Sequence, residues 1–227
     1  MNKIKLPKIN NTKLICAISR DNIRNADFLK KFKKPSYLYM YSILLHLSQD
    51  NSIKNINHNS FSITQLRNLY KIFKNETTSN IYDILDYLNK IDLFSYYNRT
   101  LSDLDYKLHD NFLNMTDLYY FNFHLLKGLK INSQRIFLYV SSFGDQLRFI
   151  QLSTISNILD INNKPHKLQQ KSATTALKTL NDNFIINYIS YTNKKYNISL
   201  NKSFQDRFKL KENEDLQFLN EFENFSF

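Results

Sequence analysis

The sequence predicts an α+β fold made of two tandem winged helix-turn-helix domains. Three observations predict it. The stretch from Ile131 to Leu200 reads, in order, as helix, short strand, helix, turn, helix and two strands closed by a tight turn. Residues 36–111 read in the same order. The first helices of the two stretches begin roughly 95 residues apart, so the second is an architectural repeat of the first. A length of 227 residues, 42% of them hydrophobic and 15% aromatic, is enough for two domains with cores of their own. The expected division is a basic N-terminal arm and strand over 1–34, a first domain over 35–127, a second over 128–205 and an acidic-aromatic tail over 206–227.

The elements follow in order. Residues 1–12 are basic and polar, and Lys13 to Ser19 is apolar enough for a strand. The run Lys30, Lys31, Lys33, Lys34 is either a solvated face or a phosphate contact. Pro35 suits a first helical turn, where its missing N–H costs nothing, and Leu38, Tyr41, Leu44, Leu45 and Ser48 recur at helical spacing after it. Phe61 and Ile63 mark a very short strand, and Thr64 to Tyr70 a short helix with Leu66 and Leu69 inward. Thr77 or Thr78 caps the next helix, whose inner face is Ile81, Ile84, Leu85 and Leu88. Leu93–Tyr97 and Tyr106–Asn111 form a hairpin around a long loop, 98–105.

Leu118 to Leu126 reads as an aromatic-rich strand entering the second domain. Ser133 is the expected cap of a helix from Gln134 to Phe143 with Ile136, Phe137 and Val140 inward, and Gly144 ends it by accepting a left-handed backbone. A strand at Arg148–Gln151 leads to Ser153, the expected cap of a helix over Thr154–Leu159. After the loop Asp160–Pro165 comes the most informative helix, about Leu168 to Asn181, with Leu168, Ala173, Leu177 and Leu180 toward the core. Ile185–Thr192 and Lys195–Leu200 close into a hairpin through Thr192-Asn193-Lys194-Lys195.

The net charge of +11 favours a polyanionic partner. The alternative is that the charge only reflects the Asn, Lys, Ile and Tyr bias, which resembles the output of a very AT-rich genome. The helix near 168–181 has a face suited to such a partner: Gln169, Gln170, Lys171, Ser172, Thr174, Thr175 and Lys178 point outward, with no acid before Asp182. In a major groove Gln can pair with adenine, Thr offers hydroxyl and methyl, and Lys holds phosphate or guanine. Lys194 and Lys195 stand at the wing tip, where phosphate or the minor groove is in reach. Arg135 and Arg148 are either phosphate contacts or structural. The matching helix of the first domain carries Glu76, Asn80, Asp83 and Asp86 outward, a poor face for DNA, though Lys71 and Lys74 precede it. The asymmetry predicts that the second domain binds duplex DNA and the first binds it weakly or serves assembly.

Chemistry of other kinds has little to stand on. Two glycines, Gly128 and Gly144, make no phosphate loop, and His46, His58, His109, His124 and His166 make no metal-ligand pair. We expect no catalytic residues, no cofactor and no metal, and hence no enzyme. The single cysteine, Cys16, permits no disulfide within the chain and reads as a small core residue. No run is long enough for a membrane span, and the N-terminus is unlike a signal peptide, so a cytoplasmic protein is expected. The tail from Lys211 combines Glu212, Glu214, Asp215, Glu221 and Glu223 with Leu and Phe, and is either a packed helix, an interaction tail or a brake on the basic surface.

Three segments carry a resemblance: LLKGLKINSQRIFLYVSSFG, FIQLSTISNILDI and ATTALKTLNDNFIINYISYTNKKYNISL. Together they resemble the second domain of the plasmid replication initiators of the RepB-like class. The resemblance implies a protein that binds direct repeats (iterons) at a plasmid or phage origin, promotes opening of AT-rich DNA and recruits host helicase, with host initiator proteins and a second copy of the chain, as a homodimer, as partners. It implies no covalent chemistry. The alternatives are a winged-helix transcription regulator or primosome-loading protein and, from another class, a protein-interaction scaffold that binds no DNA.

Overall fold

The computed structural model describes residues 15–53, 59–68, 73–112, 117–122, 126, 128–144 and 147–202. In chain order they form β1 (Ile15–Ser19), α1 (Arg20–Arg24), α2 (Ala26–Leu29), α3 (Pro35–Ile53), β2 (Asn59–Ser62), α4 (Ile63–Asn68), α5 (Thr78–Lys90), β3 (Phe94–Arg99) and β4 (Asp103–Leu108). There follow β5 (Leu118–Asn122), α6 (Ile131–Ser141), β6 (Phe149–Gln151), α7 (Leu152–Leu159), α8 (His166–Asp182), β7 (Ile186–Thr192) and β8 (Lys195–Leu200). The molecule is mixed α and β. The expected arm over 1–12, Leu69, Lys71 and the acidic-aromatic tail lie outside the described residues.

The chain divides into two compact units. The described residues of Met1–Ser19 and Ser36–Lys127 make the first, and those of Arg20–Pro35 and Gly128–Phe227 the second.

In the first unit α3 is the core. Leu38, Met40, Tyr41, Ile43, Leu44, Leu45 and Leu47 point in all directions around the helix and are all buried. A helix apolar on every side must be covered on every side. Gln49 ties it to β1, accepting from Ala17 N at 3.3 Å and donating to Ala17 O at 2.7 Å. Cys16 is fully buried and its thiol donates to Ser42 O at 3.0 Å. Burial pushes that thiol's pKa well up, against the smaller lowering by the Ser42 contact. β1 pairs antiparallel with β5, from Ile15 opposite Asn122 to Ser19 opposite Leu118, so β5 belongs here and not to the second unit.

The other sheet of this unit has the order β2-β4-β3. Buried Tyr106 on β4 donates to Leu44 O at 2.8 Å, and its hydroxyl takes a 3.4 Å bond from Ser48, joining sheet to helix. Ser62 and Gln65 form a reciprocal capping box at the start of α4: Gln65 N donates to Ser62 Oγ at 3.0 Å, and Ser62 N to Gln65 Oε1 at 3.1 Å. Ile63 therefore opens the helix instead of ending the strand. Thr77 caps α5 as expected, accepting from Asn80 N at 3.2 Å. The β3–β4 connection is short, Thr100–Leu101–Ser102, where a loop over 98–105 was expected; strand pairing runs out to Arg99 opposite Leu104.

The second unit packs α1, α2, α6, α7 and α8 with a sheet of order β6-β8-β7. Arg135 of α6 is the tie that draws residues 20–35 into this unit. It is 3% exposed and donates to Phe32 O at 2.6 Å, Lys30 O at 3.2 Å and Ile158 O at 3.3 Å. Of the two roles open to it from sequence, the structure gives it the structural one. Arg24 adds a 2.7 Å bond to Ser142 O and lies 4.2 Å from the Phe143 ring centroid, and Lys33 meets Asp160 at 2.7 Å.

Three helix starts differ from expectation. α6 begins at Ile131, and Ser133 sits inside its first turn, buried, with its hydroxyl on Ala176 O at 3.4 Å. α7 begins at Leu152 because Leu152 N is already engaged by Lys194 O, so Ser153 is a helical residue and no cap. α8 begins at His166, directly after Pro165, whose carbonyl receives Leu168 N and Gln169 N.

Candidate nucleic-acid interface

α8 sorts the expected site residues by burial. Ala173, Ala176, Leu177 and Leu180 are buried. Lys171, Thr175 and Lys178 are exposed; Gln170 and Ser172 are half-buried. Leu168, expected in the core, is 50% exposed, because at 100° per residue it lies about 130° from the direction of Ala173, Ala176, Leu177 and Leu180.

Two residues expected to point outward are instead engaged within the unit. Half-buried Gln169 uses both ends of its amide. Its Oε1 accepts from Ser156 Oγ at 2.9 Å, and its Nε2 donates to Asn162 O at 3.0 Å and Lys164 O at 2.7 Å. Those contacts set the turn between α7 and α8. Thr174 Oγ1 lies 3.1 Å from the Tyr196 hydroxyl, which also donates to Gln170 O at 3.1 Å. Thr174 thus joins α8 to β8. Thr175 donates back to Lys171 O at 2.9 Å, which leaves its methyl and oxygen lone pairs on the outer face.

The hairpin turn is fixed beside this helix. Asn193 and Lys194 have φ of 49° and 60°, the two successive left-handed residues of a tight hairpin. Lys194 O accepts from Leu152 N at 2.9 Å, so the turn is held to the first residue of α7. Lys195 Nζ stands 4.4 Å over the Phe149 ring. The starts of α7 and α8 and the turn together enclose an open cavity of about 310 Å³, lined by Ser153, His166, Gln169, Asn193, Lys194 and Lys195 among others. Lys194 and Lys195 are exposed, as is Arg148. His166 and Lys167 are exposed basic positions that sequence reasoning missed; Pro165, a common start signal for helices, marked them.

Charge follows the same division. Residues 20–35 and 128–227 hold nineteen Lys and Arg against eleven Asp and Glu, net +8, whereas 1–19 and 36–127 hold twelve against nine, net +3. The outer face of α5 carries Asp83 and Asp86, and Arg99 of β3 beside it is engaged by Asp86. Arg99 grips Asp86 through Nε at 3.0 Å and Nη2 at 2.8 Å, Tyr97 donates to the same carboxylate at 2.6 Å, and the guanidinium lies 4.3 Å from the Tyr82 ring centroid. The Arg99 bonds hold Asp86 below the usual carboxylate range, with Tyr97 adding to them and burial opposing. Burial and the same carboxylate push Tyr97 up. Asp83 and Lys74 are exposed, and Glu76 accepts from Asn80 at 2.9 Å.

Among the described residues no three His, Cys, Asp or Glu cluster as a metal site would need, and no helix is long and apolar enough to cross a membrane. No protein-family model matches the chain, and neither a curated protein nor a solved structure does.

Proposed function

We propose that this protein binds double-stranded DNA sequence-specifically and acts as a replication initiator, recognising repeats at a plasmid or phage origin. In this reading both units are winged helix-turn-helix domains. The order α6-β6-α7-α8-β7-β8, with β6 paired to β8, supports that reading for the second, and α3-β2-α4-α5-β3-β4, with β2 paired to β4, for the first. α8 enters the major groove. Lys171, Thr175 and Lys178 face the bases and backbone, and Lys194 and Lys195 meet flanking phosphates. Gln170 and Ser172 lie at the edge of that face, while Gln169 and Thr174 position the helix. The first unit serves assembly, as a homodimer or with host helicase and initiator proteins. The single observation that carries DNA binding is the +8 charge of the second unit beside an α8 face with no carboxylate before Asp182. The initiator role rests on the resemblance to RepB-like proteins.

The test is a gel shift of the full chain across a salt series, using repeats of about 20 base pairs found beside its gene or a duplex selected from a random pool. A sequence-preferring complex whose affinity falls steeply with salt is expected. Failure to prefer any sequence at moderate salt would remove the proposal. Binding confined to an isolated promoter-like site, with no repeats, would favour a transcription regulator.

A further inference from the structure

Leu168 is the one large apolar side chain on the outer face of α8. A solitary exposed Leu is ordinary on a protein surface and means nothing by itself. Its neighbours give this one a meaning. At 100° per residue Leu168 lies in line with Thr175, two turns on, and one turn from Lys171, with Lys178 beyond. The strip therefore presents an apolar group, a threonine methyl and two ammonium groups, and its first carboxylate is Asp182 in the last turn. Leu168 also stands in the first turn, and the N-terminal residues of a recognition helix are those that reach base edges.

We infer that Leu168 is a specificity-determining residue that packs on the C5 methyl of thymine in the major groove. The inference rests on the proposed DNA binding and deepens it. The lysines supply attraction to a polyanion, which fits no apolar protein partner and no neutral lipid surface. Among the groups on the major-groove edge of DNA, only the thymine methyl is apolar. The composition of the chain points the same way, since its Asn, Lys, Ile and Tyr bias belongs to an AT-rich genome, where such methyls are dense. Thr175 presents a second methyl in line, about 10.5 Å further along the helix, so a second thymine about three base pairs from the first fits it. Lys171 and Lys178 then take phosphate or guanine to one side.

The experiment uses the full chain and the duplex selected from a random pool. Each thymine of the selected core is replaced in turn by deoxyuridine, which removes the methyl and leaves pairing intact. Wild type is expected to lose about fourfold in affinity at one position, the worth of one buried methyl. Leu168→Ala is expected to bind the parent duplex more weakly by a similar factor and to be indifferent to deoxyuridine at that position. Leu168→Met, which keeps an apolar side chain of like size, should restore the sensitivity. Half exposure of the side chain means that the variants fold, checked by thermal melting. Equal deoxyuridine sensitivity in wild type and Leu168→Ala, or none in wild type, overturns the inference while the selected duplex leaves DNA binding standing. If selection enriches no sequence, DNA reading fails and the inference falls with it.

Discussion

Gln169 divides two accounts of α8. A base-reading Gln would leave its amide free for adenine; this one donates to Asn162 O and Lys164 O and accepts from the Ser156 hydroxyl. Replacing it by Ala removes three hydrogen bonds. Each is worth about 1 kcal/mol net, and less where solvent can replace it, as it can at the two turn carbonyls. The third matters more, because Ser156 is 0% exposed and would lose its acceptor. The total comes to about 2 kcal/mol, or a fall in Tm of about 10 °C for a unit of this size. Thermal or urea unfolding followed by circular dichroism measures it. Gln169→Ala/Ser156→Ala should recover part of the loss, since the second change removes the stranded hydroxyl. DNA affinity of the single variant should fall for all duplexes alike. Unchanged stability with a loss confined to one base position would refute the reasoning and return Gln169 to the bases.

Further outcomes follow from the same geometry. Lys171→Ala and Lys178→Ala should each weaken binding and lower the salt slope by about 1, and Thr175→Ala should weaken binding, whereas Asp83→Ala should change nothing; equal losses in all four would end the division of labour between the units. The Asp86–Arg99 pair is partly exposed, so Asp86→Asn should cost no more than about 1 kcal/mol near pH 7 in urea unfolding. Its sign with pH is set by the lowered Asp86 pKa: the stabilisation is complete above the ordinary carboxylate range and disappears as pH falls through the lower folded value. A variant losing as much at pH 2 as at pH 7 would contradict this. Cys16, fully buried with its pKa raised, should resist iodoacetamide at pH 8 in the folded protein and react at once in urea; fast labelling without denaturant would contradict its placement.

How much was legible in the sequence differs by element. The α5 face, its Thr77 cap and the Asn193-Lys194 turn were readable because each depends on local chemistry: helical period, an oxygen in reach of orphan N–H groups, and an Asn tolerant of positive φ. The starts of α6 and α7 were misread because Ser133 and Ser153 look like caps, while the backbone N–H of Leu152 finds Lys194 O, 42 residues away. Arg135 was ambiguous for a similar reason. Its partners are main-chain carbonyls, and every residue has one, so no sequence pattern announces them. In the candidate site the charged positions Lys171, Lys178, Lys194 and Lys195 stand exposed as expected. Gln169 and Thr174 were misplaced by counting polar side chains as outward, and Leu168 by counting an apolar one as inward. At 100° per residue Leu168 falls about 130° from the centre of the buried stripe and Gln169 falls within it, so the period counted from Ala173, Ala176, Leu177 and Leu180 places both, and only Thr174 lies at an edge.

Lysine footprinting of the full chain, with and without a saturating selected duplex, tests the central claim most directly. Mass spectrometry reads the acetylation of each lysine. Protection at Lys171, Lys178, Lys194 and Lys195, with Lys74 and Lys90 labelled as in the free protein, is the predicted result. Protection confined to Lys74 and Lys90, or no protection at Lys171 and Lys178, would contradict it.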